Sequence, residues 1–134
     1  MTATTITTLT IITTRASKMT PETWTRVGAA LMFLDVALGA FAAHGLKSRL
    51  TPEMLTVFET GVRYQAYHAL ALLLLAAVRG PDKAGWCFLA GIVIFSGSLY
   101  ALAITGVRWL GAITPIGGLL FLAGWVLFAV QPRG

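Results

Sequence analysis

Charge and cysteine are what this sequence has least of. Charged residues make up only 11% of its 134 positions, against roughly 25% in a soluble domain. A single cysteine, Cys87, excludes an internal disulfide and leaves the redox compartment unread. No Cys/His cluster has zinc spacing, no glycine loop is built to cradle phosphate, and no nucleophile elbow is present. The ten basic residues form no dense patch, which argues against nucleic acid as a partner. Composition and motif thus point away from an enzyme, and they suggest neither a metal nor a cofactor.

What the chain does have is apolar length. Hydrophobic residues account for 57% of it before any of its 14 glycines are counted. A water-soluble chain of this size has too little interior for that much apolar surface. A bilayer is the simplest medium that accepts it.

Residues 1–19 stand apart as a threonine-rich tract ending in Arg15 and Lys18, expected to be disordered and to lie outside the fold. It reads either as a basic, hydroxyl-rich targeting segment or as an extension upstream of a translation start at Met19. Residues 20–134 read as one membrane domain. Thr20-Pro21-Glu22 carries a helix start: a capping hydroxyl, proline in the first turn and an acid at the positive dipole end. Thr51-Pro52-Glu53 repeats it. Apolar runs predict spans at about 24–43, 62–79, 84–105 and 109–130, since roughly 20 residues cross a hydrocarbon core.

Between the first two spans, Leu55, Phe58 and Val62 recur at helical spacing among Glu53, Glu59 and Arg63. This predicts a short amphipathic helix at the membrane surface, bending at Gly61 into the second span. Gly80-Pro81-Asp82-Lys83 reads as a turn, and Arg108 as the tip of a tight hairpin between the last two spans. The expected fold is all-α: a four-helix, up-down-up-down transmembrane bundle with that interfacial helix. Small-residue spacings at Gly39/Ala43 and Gly97/Ala101 would let helices approach closely.

Four spans put both termini on one side, with Arg15, Lys18, Arg26, Arg79, Lys83 and Arg133 against Lys47, Arg49, Arg63 and Arg108 on the other. The positive-inside rule then favours cytoplasmic termini in a bacterial plasma (inner) membrane. In a eukaryote the same pattern would place the chain in an organelle membrane.

The same topology gathers the polar residues. His44 ends span one, while Tyr64, Gln65 and His68 open span two. Ser96, Ser98 and Tyr100 lie late in span three, and Thr114 opens span four. All fall toward the end opposite the termini, within about two helical turns of its surface. Pro115 should free a carbonyl near Gly111, and Gly117 and Gly118 allow close approach. This polar layer has three readings: hydrogen bonding between helices, a small cavity of a transporter or proton-conducting oligomer, or a redox subunit with His44 and His68 as axial ligands. Asp35, an acid inside span one, is a separate candidate, half a helical turn away from His44.

Several stretches are familiar. Leu38-Gly39-Ala40-Phe41-Ala42-Ala43-His44-Gly45-Leu46 is the first, and Phe58 through Leu70 (FETGVRYQAYHAL) the second. Phe95-Ser96-Gly97-Ser98-Leu99-Tyr100 and Thr114-Pro115-Ile116-Gly117-Gly118 complete them. Together they resemble the YgdD-like family of bacterial inner-membrane proteins, a family of unknown function related to a small transmembrane protein of animals. The resemblance covers roughly residues 27 to 130 and implies a multi-span membrane protein, with no reaction or cofactor. Asp35 is outside the pattern. The expected function is therefore non-enzymatic, through helix–helix contact in the bilayer with a second copy or with other membrane proteins.

Overall fold

A computed structural model describes residues 2–8 and 18–132, which are helical with no strand among them. Residues 3–8 form a short helix whose Thr7 and Thr8 hydroxyls donate to the carbonyls of Ala3 and Thr4. The rest of the threonine-rich tract with Arg15, and Arg133 at the other end, lie outside the described residues.

Four helical rods follow. Helix α1, Pro21–Phe41, runs on through a π-helical turn at Ala42–Leu46. Helix α2 spans Pro52–Ala77. The third rod is α3, Asp82–Gly91, joined through a second π-helical turn, Ile92–Ser96, to α4, Gly97–Thr105. The fourth opens as a 3-10 turn, Arg108–Ala112, and becomes α5 at Thr114–Val130. Both threonine caps form as their sequence suggests. Thr20 accepts from the Thr23 amide and Thr51 from the Met54 amide, each with proline in the first turn.

Consecutive rods run antiparallel, as their contacts show. Gly28 meets Leu73 while Gly39 meets Val62; Gly61 meets Tyr100 and Ser96; Gly124 meets Phe88 while Gly117 meets Phe95. The main core gathers Trp24, Leu72, Leu75, Phe88, Ile92 and Phe121 near the termini, and a smaller cluster holds Ala42, Leu46, Phe58 and Ala103 at the opposite end.

Three rods are long and apolar enough to cross a membrane: Pro21–Leu46, Asp82–Thr105 and Arg108–Val130. The second rod does not meet that measure, because Arg63, Gln65 and His68 dilute its apolar run. It is nonetheless central. One face of it, Gly61, Gln65, His68, Leu72 and Leu75, is buried against the other rods.

The separate interfacial helix and its bend at Gly61 are not present: α2 is a single 26-residue helix. Glycine inside a helix costs only about 1 kcal/mol, and packing holds it here. A Cβ on Gly61 would fall 2.7 Å from the Tyr100 ring, so the missing side chain is what seats that tyrosine. Pro115 likewise breaks nothing. It stands in the first turn of α5, where a missing N–H is no loss, so no carbonyl is freed mid-helix. The space beside Gly97 is open, so no helix approaches closely there. The close contact falls at Gly117, against the backbone of Phe95.

Candidate functional site

The buried face of α2 ties the rods together through three positions, four and then three residues apart. At the first, the Ser96 hydroxyl donates to the Gly61 carbonyl at 2.7 Å, and Ser96 is completely buried. At the second, Gln65 bridges two rods: its amide N–H donates to the Leu31 carbonyl of α1 at 2.9 Å, and its carbonyl accepts from the Tyr100 hydroxyl of α4 at 2.7 Å. At the third, His68 reaches the fourth rod, where the Trp125 indole N–H donates to Nε2 at 3.1 Å.

The protonation of His68 follows from its partners. Nδ1 lies 2.8 Å from the Tyr64 carbonyl, which can only accept, so Nδ1 carries the proton. The indole can only donate, so Nε2 is bare. The ring is a neutral Nδ1–H imidazole with both nitrogens engaged, and it stacks on Phe121 at a centroid distance of 3.5 Å.

A fourth link joins the third and fourth rods directly. The Ser98 and Thr114 hydroxyls are 2.6 Å apart, and Ser98 also donates to the Phe95 carbonyl at 2.9 Å. The π-helical turn Ile92–Ser96 ends on Ser96 and precedes Ser98. Its one extra residue shifts the phase of α4 relative to α3, which points Ser96 at α2 and sets Ser98 toward Thr114.

Seven of the eight polar-layer candidates, Tyr64, Gln65, His68, Ser96, Ser98, Tyr100 and Thr114, are thereby placed among these links. The links made by α2 are strung from residue 61 to 68, about 10 Å, and the Ser98–Thr114 link stands apart from them. Because α2 begins at Pro52, residues 64–68 lie midway along the helix, and His68 packs against Phe88 of α3.

His44 does not join them. It is exposed in the first π-helical turn, beside Leu46, which packs in the cluster around Phe58. That level is ten residues along α2 from His68, about 15 Å. The two histidines cannot ligate one group, and the paired-ligand redox reading is withdrawn. Among the described residues no group of three or more metal-binding side chains occurs.

Asp35 is 8% exposed, and its Oδ1 has no hydrogen-bond partner among the described residues. It lies within electrostatic reach of the Tyr100 hydroxyl, so it borders the Gln65 link rather than standing apart.

Beside His68 a cleft of about 410 Å³ opens between α2 and α5, with Phe95 also lining it. Tyr64, Tyr67, Phe121 and Trp125 give it an aromatic lining. Neither tyrosine hydroxyl has a hydrogen-bond partner among the described residues, although the backbone carbonyl of Tyr64 does. Trp125 and the Leu31 carbonyl escaped the sequence reading. Phe121, Trp125 and Phe128 recur at helical spacing in the last apolar run, and that stripe was the available signal for the tryptophan. A backbone carbonyl leaves none.

The family model for a protein of unknown function (DUF423) matches residues 38–118, more than half of the chain. The chain belongs to the DUF423 family. Its match takes in α2 and the serines of the third rod, and it ends just past the Thr114 link. A UPF0382 membrane protein of Staphylococcus haemolyticus is 47% identical over 110 residues, covering 78% of this chain and 90% of the relative. The UPF0382 membrane protein YwdK of Bacillus subtilis is 45% identical over 111 residues, with 78% and 90% covered. A counterpart in Staphylococcus aureus is 44% identical over 109 residues, covering 78% and 89%. No solved structure matches the chain. Its relatives are bacterial membrane proteins, and no enzymatic function is indicated for the family.

Proposed function

We propose that this DUF423 chain crosses the bacterial inner membrane four times, up-down-up-down with cytoplasmic termini, and acts through helix–helix contact in the bilayer. The YgdD-like kinship and the second crossing, at about 62–79, belong to this proposal. The second rod can cross despite its polarity because Gln65 and His68 face the other rods, while Leu70, Leu74 and Val78 face outward. Arg63 near its mouth can snorkel to the headgroups.

The observation that carries the function is the aromatic cleft. The Tyr64 and Tyr67 hydroxyls at its rim have no partner among the described residues, and a polar group facing hydrocarbon seeks one. A helix of a second copy, or of another membrane protein, supplies both apolar contact and acceptors. Crosslinking through Tyr67→Cys in native membranes tests this: adducts are expected, and a product that is monomeric throughout would overturn the reading.

One observation favours a second reading. The unpartnered Asp35 oxygen is the kind of intramembrane acid that transporters and proton paths use. Proteoliposome flux that disappears in Asp35→Asn would support it, and flux indistinguishable from empty vesicles would end it.

A further inference from the structure

At the terminus end of the rods, the start of α1, the end of α2 and the start of α3 line a cleft of about 390 Å³, with Pro132 beside them. Two cations line it, Lys18 and Arg79. One acid lines it too, Asp82, but both of its oxygens are in use. One accepts from the Met19 amide at 2.9 Å and the other from the Trp24 indole at 2.8 Å. Glu22 lies within electrostatic range of Arg79. Neither Arg79 nor Lys18 makes an ion pair or side-chain hydrogen bond among the described residues.

The backbone of Arg79 is the unexpected feature. It follows the last turn of α2 with φ of 51°, the one non-glycine residue with positive φ among those described. The amide of Gly80 closes the turn on the Leu75 carbonyl at 2.7 Å. Glycine is the residue that such a helix end favours, and a side chain bearing a Cβ is strained there. A strained conformation held by a long cationic side chain points to a use for that side chain. Here it is directed to a cleft that already holds a second cation.

The location supplies the ligand. Two of the three membrane-crossing candidates begin here, at Pro21 and Asp82, and the other ends here, at Val130. Trp86, half exposed and in edge contact with Trp24, lies at the same end, as tryptophans do at headgroup level. With Arg26 and Lys83 also at this end, four cations face the two acids, Glu22 and Asp82. We propose that the cleft holds the phosphate of an anionic phospholipid, gripped by Arg79 and Lys18. The inference rests on the rods being in a bilayer and is independent of any helix–helix partner.

The test is lipid binding by the full chain in detergent, measured by native mass spectrometry with phosphatidylglycerol against phosphatidylcholine. Preference for phosphatidylglycerol is expected. Arg79→Gly should reduce it about tenfold while leaving the protein as heat-stable as before or more so, because glycine relieves the backbone. Lys18→Gln should reduce it too, without touching the turn. Lys47→Gln, at the far end, should leave it unchanged. Retention of full preference in both Arg79→Gly and Lys18→Gln would overturn the proposal, as would an equal loss in Lys47→Gln. Displacement of the lipid by soluble glycerol phosphate alone would also overturn it, by showing a site for free phosphate.

Discussion

Gln65 does with one side chain what would otherwise take two: its amide N–H and its carbonyl are spent on different rods. Hydrogen bonds between helices in a membrane contribute about 0.6 kcal/mol on average and up to about 1.7. Tyr100→Phe removes one of them and keeps the ring on Phe58, so a loss of about 1 kcal/mol is expected. Gln65→Leu removes both, so the loss should be larger. A double-mutant cycle read by denaturation in detergent would show coupling between Gln65 and Tyr100; strict additivity would mean that the bond does not matter to stability. Trp125→Phe poses a parallel question. It leaves His68 Nε2 without a donor, and a loss of about 1–2 kcal/mol is expected in the same assay.

At the scale of elements, glycines set how near the rods come. Gly117 touches the backbone of Phe95 in the π-helical turn, so Gly117→Ala must push α5 away from the third rod. A loss of several kcal/mol is expected, more than for typical point changes, and Gly97→Ala should cost almost nothing because the space beside it is open. Comparing the melting temperatures of the two variants checks this; equal losses would contradict the contact. The pattern of glycine spacing in the sequence named Gly97 and Gly39, yet which glycine touches another rod depends on the phase of each helix. Two π-helical turns alter that phase, and a five-residue stretch such as Ile92–Ser96 carries no compositional mark of one. The continuous α2 was hidden for a similar reason. Its first turns are polar enough to read as a surface helix, and only the ring of Tyr100 over Gly61 shows why the chain does not bend there.

For the whole molecule, the four-crossing arrangement predicts sidedness. Cysteine at 44 and at 108 should label from one face of a membrane vesicle, and cysteine at 83 from the other. Labelling of 44 and 108 from opposite faces would end the proposal. The sequence by itself determined that this is an all-helical membrane chain, where three of its long apolar stretches lie, and which residue types break them. Hydrophobicity is additive along a chain, and caps such as Thr20 and Thr51 act within one turn, so both can be read locally. Only the tertiary structure decided that Gln65, Tyr100 and Leu31 meet, that His68 bonds to Trp125 while His44 stays outside, and that Arg79 turns over a cation-lined cleft. Those pairings depend on helix phase and on the depth at which each rod begins, which no local stretch of sequence carries.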